Sequence, residues 1–194
     1  MNYQHFSKQE LIKVLKQKDE TIKTLNKEIN KLKYYASIDG MTKTFNRRAG
    51  MEILEEKMRM TKIYKQPLSI CFIDIDQFKK INDTFGHAFG DKLLIDISRI
   101  LKYNIRKVDI VFRIGGDEFI IIFPNTTRKQ AVKVWNRICE KISEINKYGL
   151  YQYDISLSCG FSEYDSNSEI SVEDLVKNAD REMYKKKRTH MENA

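Results

Sequence analysis

The spacing of apolar positions divides this chain into a heptad-patterned opening and a mixed remainder. Between Leu11 and Ala36 there is no Gly or Pro, and Leu15, Ile22, Leu25, Ile29, Leu32 and Ala36 fall on positions a and d of one heptad frame. Leu11 takes a further d position, and Lys18 interrupts another. Isoleucine at a with leucine at d favours a parallel two-stranded coil. A single amphipathic helix lying on the domain is the alternative, but the polar residues elsewhere leave only a narrow seam. Residues 1–35 are therefore expected to form a parallel dimeric coiled coil, and residues 36–194 a separate domain.

After Asp39-Gly40 the period changes. A polar connection, Met41 to Arg48, leads into a helix expected from about Arg47 to Ile63. Pro67 opens a β-rich run, Leu68 to Ile75, and polar residues and glycines fill 76–91. Leu93, Leu94, Ile97, Ile100 and Leu101 give a helix over 92–103 its apolar face. Two apolar runs, Ile110 to Ile114 and Phe119 to Phe123, flank Gly115-Gly116. That pattern predicts a tight hairpin, because primed turns need the positive φ that glycine supplies without a Cβ clash. Ala131, Val134, Trp135, Ile138, Ile142 and Ile145 mark the buried side of a helix over 127–145, and Ile155 to Phe161 reads as a strand. Ser171-x-x-Asp174 resembles a helix start, with Val172, Leu175, Val176, Ala179 and Met183 as that helix's core face. The order after the coil is αβααββαβ with a closing helix and no internal repeats. It predicts an α+β sandwich with an antiparallel sheet and helices packed mainly on one side.

Composition narrows the class. A chain of 194 residues, 41% hydrophobic, with two prolines and eight glycines is globular rather than disordered or fibrous. Cys71, Cys139 and Cys159 are far apart in sequence and each lies in an apolar stretch, which reads as buried free thiols in a reducing compartment. The first residues lack a leader pattern and no apolar run reaches bilayer length, so a cytoplasmic location with no membrane span is expected. The formal charge of +8 suits a polyanion, an anionic surface or a phosphorylated small molecule. Lysine is spread throughout, however, and dense only from Lys185 to Arg188. No aromatic-interleaved basic face or known motif points to nucleic acid.

The candidate chemistry sits in two stretches. Asp74 and Asp76, two residues apart at a strand end, face one side. Asp117 and Glu118 leave the glycine turn pointing to opposite sides, which gives them different jobs. If the two strands are neighbours, these oxygens suit Mg²⁺, which takes one or two protein carboxylates plus substrate phosphate oxygens. Lys79 offers a point charge for a phosphate. Asn82 and Asp91 match the donor and acceptor pattern of a guanine edge, and Gly86 and Gly90 let backbone approach a base. Each residue alone is ordinary, as a polar strand end, a turn or, at His87, a structural histidine. Their joint spacing is what carries weight.

Residues 74–91, Arg113-Ile-Gly-Gly-Asp-Glu-Phe119 and residues 39–48 together resemble the GGDEF diguanylate cyclases, over about residues 36–188. The resemblance implies a palm-like fold shared with nucleotidyl cyclases and polymerases. It implies condensation of two GTP into cyclic di-GMP and two pyrophosphates by a homodimer, with Mg²⁺ or Mn²⁺, two per active site. By position, Asp74, Asp117 and the backbone carbonyl of Ile75 look like metal ligands. Glu118 or Asp117 would help deprotonate the attacking 3′-hydroxyl, with Lys79 also among the catalytic positions. Phe78, Lys79, Asn82, His87, Asp91, Gly115, Gly116 and Lys187 match substrate-binding positions. Arg106-x-x-Asp109 matches an inhibitory site for the product, which Arg137 would assist, although a surface ion pair explains the tetrad equally well on its own. The usual Asp-Pro-Leu-Thr-Gly-Leu is here Asp39-Gly-Met-Thr-Lys-Thr44, and the Gly-Arg-Asn expected after Lys187 is replaced by residues including His190, Met191 and Glu192. A non-catalytic module binding GTP or cyclic di-GMP and a cyclase of other nucleotides are the alternatives.

Overall fold

The computed structural model describes residues 7–192, with side chains through residue 188. The first six residues, read above for a leader, and the side chains of His190, Met191 and Glu192 lie outside the described residues. The chain divides into two compact units, one ending at Ile38 and one beginning at Asp39.

The first unit is a single helix, α1, Lys8–Ser37. Its start is a capping box: the Ser7 hydroxyl accepts from the Glu10 N–H at 3.3 Å, and the Glu10 carboxylate accepts from the Ser7 N–H at 2.8 Å. No residue of α1 is buried. The seam residues Leu15, Ile22, Leu25, Ile29 and Leu32 are each between 45% and 66% exposed.

The second unit runs α2 (Arg47–Tyr64), β1 (Leu68–Ile75), α3 (Phe78–Phe85), α4 (His87–Tyr103), β2 (Ile110–Arg113), β3 (Glu118–Pro124), α5 (Arg128–Lys147), β4 (Leu157–Tyr164) and α6 (Val172–Glu192). The strands form one sheet in the order β2-β3-β1-β4, and every pairing is antiparallel. β1 lies inside the sheet and all eight of its residues are buried. That position explains its almost unbroken apolar run, since a strand covered on both faces has no need to alternate.

Helices cover both faces, not mainly one. Cys71, Ile73, Ile75, Phe119, Ile121 and Phe123 pack against Leu93, Leu94 and Ile97 of α4 and Trp135 and Ile138 of α5. Residues of the other parity, Leu68, Ile70, Phe72, Ile120 and Ile122, pack against Leu54 and Met58 of α2 and Leu175, Ala179 and Met183 of α6. Strands that are apolar at every position leave two faces to bury, which is why one layer of helices is not enough. α6 lies very close to β4: a Cβ on Gly160 would stand 2.0 Å from the Ala179 carbonyl oxygen and 2.2 Å from the Met183 nitrogen.

The stretch 76–91, read as polar and glycine-rich, holds α3 and the first turn of α4, so α4 begins at His87 rather than Lys92. Gly86, at φ 85, separates the two helices. Both are anchored by aromatic residues: Phe85 stacks on Tyr153 with ring centroids 5.4 Å apart, and Phe89 meets the same ring at 5.5 Å, tilted by 57°. β4 starts two residues later than predicted because Ile155 is held outside the strand. The Asn146 side-chain amide bonds both its N–H and its carbonyl at 2.9 Å. Cys71 and Cys159 are buried as expected, but Cys139 is exposed on α5. No helix among the described residues is long and apolar enough to cross a membrane.

Candidate active site

The sheet register brings the acids together. Asp74, next to last in β1, lies directly opposite Glu118, the first residue of β3. Side-chain alternation puts both on the face covered by α6, and Lys187 of that helix makes an ion pair with Asp74 Oδ1. Ile75 is buried, and its N–H donates to the Asp117 carbonyl at 3.3 Å, tying the end of β1 to the glycine turn. Like charges placed opposite one another repel. Burial, with Asp117 and Asp76 nearby, raises the proton affinity of Asp74 against the opposing pull of Lys187. Burial, with Asp117 and Asp74 nearby, raises that of Glu118. Asp76 shares the face of Asp74 but is engaged elsewhere, accepting from the Ser156 hydroxyl at 2.5 Å and the Ser158 hydroxyl at 2.6 Å. Among the described residues no three His, Cys, Asp or Glu side chains converge on a metal-sized point. Mg²⁺ needs no such closed cage, since it usually takes one or two protein carboxylates and fills the rest of its shell with water and phosphate oxygens.

The hairpin turn differs from the tight primed turn predicted. Neither Gly115 nor Gly116 has positive φ, and the turn closes four residues on, with the Ile114 N–H donating to the Glu118 carbonyl at 3.0 Å. Gly115 lets the Glu118 carboxylate lie against the turn, since a Cβ there would stand 2.3 Å from Glu118 Oε2 and push that group aside. The turn is held by Arg113, a residue of the motif to which no role was assigned. Its Nε donates to the Gly115 and Gly116 carbonyls, both at 3.1 Å, and its Nη2 to the Gly116 carbonyl at 2.6 Å. Its Nη1 reaches the Asp39 carboxylate at 3.4 Å. Asp39 in turn accepts from the Thr42 N–H and hydroxyl at 2.8 and 2.7 Å. Burial alone would raise the Asp39 pKa, but the Thr42 bonds and the Arg113 charge outweigh it and hold the carboxyl below the usual carboxylate range. The Asp39–Thr44 loop is therefore closed despite its unusual sequence. Lys43 stands where the usual pattern has glycine and takes a left-handed φ of 55.

A second group forms where α3 meets α4. A Cβ on Gly90 would stand 1.9 Å from Asn82 Oδ1 and 3.2 Å from the Phe78 ring. Phe78, Asn82 and Gly90 therefore touch, and Asn82 Oδ1 is buried with no hydrogen-bond partner among the described residues. An orphaned buried acceptor calls for a donor from outside the protein. Asp91 follows Gly90 on α4, exposed. Lys79 and His87 are exposed in the first turns of α3 and α4, and neither is bonded to the acids among the described residues.

Arg106 and Asp109 form an ion pair. The Asp109 side chain is fully covered and accepts Arg106 Nη2 at 2.7 Å, Nε at 3.1 and 3.2 Å and the Arg106 N–H at 2.9 Å. Arg106 Nη2 also reaches the Thr126 hydroxyl at 2.7 Å. Arg137 of α5 donates to the Asn104 carbonyl, two residues before Arg106. The pair closes the turn into β2 and leaves half of the Arg106 side chain exposed. Thr126 and the two serines on Asp76 carry no pattern in the sequence. Arg113 is visible as a cation inside an apolar run, but nothing in the sequence shows that it bonds the turn.

The sequence family described as diguanylate cyclase, GGDEF domain, matches residues 36–193. Diguanylate cyclase DosC of Escherichia coli is 33% identical over 156 residues, 80% of this chain and 34% of its own length. Diguanylate cyclase A of Treponema denticola is 40% identical over 124 residues, 63% of this chain and 33% of its own. The chain thus spans about a third of the length of these curated relatives. Among solved structures, diguanylate cyclase SiaD of Pseudomonas aeruginosa, in complex with its activator SiaC, is 26% identical with a TM-score of 0.77, over 93% of this chain and 69% of that one. The coiled coil and GGDEF domain of DgcB from Caulobacter crescentus, in complex with c-di-GMP, shares the fold with a TM-score of 0.77 at 23% identity, over 92% of this chain and 95% of that one. The family match takes in the acids of β1 and β3, the glycine turn and the helices beside them, and the chain belongs to the GGDEF diguanylate cyclase domain family.

Proposed function

We infer that the chain is a diguanylate cyclase, joining two GTP into cyclic di-GMP with loss of two pyrophosphates. The observation that supports this most is the placement of Asp74 opposite Glu118 at the sheet end beside the glycine turn, with Lys187 paired to Asp74. Asp74, Asp117 and the Ile75 carbonyl would hold Mg²⁺ or Mn²⁺, two ions per active site. When bound, the metal would make the attacking 3′-hydroxyl more acidic and offset charge on the α-phosphate. Glu118 takes the hydroxyl proton, a role that suits a carboxylate whose proton affinity burial has raised. Asp117 supports it from the turn. Asn82 and Asp91 read the guanine edge, Asn82 through an atom that otherwise lacks a partner. A carboxylate at Asp91 accepts from guanine N1–H and the amine but meets an acceptor on adenine. Phe78 and Gly90 border the base, His87 opens the helix that carries Asp91, and Lys79 and Lys187 face the phosphates. Gly115 and Gly116 pass over the nucleotide.

One chain holds one GTP, so two must meet before either 3′-hydroxyl finds a partner phosphate. Pairing of two copies through α1 raises the effective concentration of the second site and orients it. Arg106, Asp109 and Arg137 form the product's inhibitory site, where Arg106, its Nε and Nη2 held by Asp109, presents its exposed Nη1 to a phosphate. The cytoplasm, where GTP is made, is the location this reading implies.

The test is product analysis by mass spectrometry after incubation with Mg²⁺ and GTP, ATP or both. Cyclic di-GMP and pyrophosphate are expected from GTP alone, with a loss of at least about a hundredfold in Asp74→Asn. A dimeric preparation that makes no cyclic di-GMP overturns the reading. Tight product binding without turnover would leave a non-catalytic module, and incorporation of ATP would remove Asp91 from its role.

A further inference from the structure

Lys187 is engaged in a way that phosphate binding does not require. Its ammonium lies on Asp74, with the lysine side chain 22% exposed and that of Asp74 10% exposed. Its charge acts on Glu118 as well, and so stands within the field of both facing acids. It therefore neutralises the carboxylate that the reading above gives to a divalent cation. Two cations cannot share one buried carboxylate at close range without strong repulsion.

We propose that Lys187 and a divalent metal are alternative partners of Asp74, and that the lysine leaves Asp74 when a nucleotide's phosphates draw it off. This rests on the assignment of Asp74 as a metal ligand. Lysine is suited to such an exchange. Its flexible stem and three rotatable donors let the charge re-aim, whereas an arginine fork locks onto a carboxylate. The helix itself need not move. Met183, one turn earlier on the same side of α6, is buried in the core against the sheet and holds the backbone in place. Two consequences follow. Free metal binds weakly, because it must displace a resident charge, and metal and nucleotide favour each other's binding. The ion pair also keeps Asp74 from facing Glu118 and Asp117 unneutralised before substrate arrives.

The experiment is titration of the full chain with Mn²⁺ alone, without nucleotide, reading free Mn²⁺ by electron paramagnetic resonance. Wild type is compared with Lys187→Met, Lys187→Arg and Asp74→Asn. Lys187→Met is expected to bind Mn²⁺ about tenfold or more tighter than wild type. Lys187→Arg keeps the charge and is expected to bind no tighter than wild type, and Asp74→Asn to lose the site. Circular dichroism and Tm confirm that α6 is intact, and Lys187→Gln replaces the methionine variant if that one folds poorly. Equal affinity in wild type and Lys187→Met, with the site lost in Asp74→Asn, overturns the exchange and leaves the metal site standing. Affinity unchanged by Asp74→Asn removes the metal site, and the exchange with it.

Discussion

Arg113 ties three backbone and side-chain partners with one guanidinium, and so decides the shape of the turn that presents Asp117 and Glu118. Lysine at this position keeps the charge but cannot bridge both glycine carbonyls and Asp39. Arg113→Lys is expected to lower kcat by about ten- to a hundredfold with little change in KM, measured by steady-state pyrophosphate release. A purely structural role would instead lower Tm and leave kcat per folded chain unchanged. Asp39 adds a pH dependence. Its folded pKa lies below the unfolded value, so the stability it contributes is complete above that unfolded value, about 3.9, and is lost as pH falls through the folded one. Asp39→Asn is expected to have a lower Tm at neutral pH and a shallower fall of Tm below about pH 4, seen in thermal melts across acid buffers. At this scale the acids were legible, because carboxylates at the ends of apolar runs stand out and strand alternation fixes their side. Arg113 was not, because its main partners are backbone carbonyls, which every sequence has.

Glycines separate elements that exist for packing from those that exist for chemistry. At Gly160 an added methyl meets the backbone of α6, which cannot yield without moving a helix. Gly160→Ala is expected to cost about 2–3 kcal/mol and lower Tm by about 5–10 °C. At Gly115 the methyl meets only the far end of the Glu118 side chain. Gly115→Ala is expected to leave Tm nearly unchanged while activity falls about tenfold or more, since the displaced group is the proposed base. Differential scanning calorimetry and a product assay on the two variants separate the effects. β1, α2 and α5 were read within a residue or two of their observed ends, because their apolar spacing is sustained and their flanks carry Pro67, Asn46 and Thr127. α3 was counted in the element order but given no bounds, because its eight residues hold too few turns for a period to show. The start of β4 was misjudged because Ile155 is bonded by a side chain from α5, which no local pattern reveals.

At the scale of the molecule, α1 leaves a seam of leucines and isoleucines exposed along a helix with no buried residue. Changing Leu25 and Ile29 together to Asp is expected to yield monomers by light scattering. Cyclic di-GMP output per chain should fall at least about tenfold at micromolar protein, with GTP affinity intact. Output unchanged in a monomer would detach the coil from the reaction. The heptad was plain in the sequence, whereas the second layer of helices was not, because the run of apolar residues in β1 does not say which helix covers which face. That strand carries a further implication. Asp74 shares its side with Leu68, Ile70 and Phe72, all packed under α2 and α6. A slip of one residue would drive the carboxylate among the thiols and aromatics opposite and push those apolar groups toward the acids. Misalignment would thus unmake the protein before it could merely idle it. A chain that folds but does not turn over is therefore expected from replacement of a side chain at the site, not from a shift of the strand.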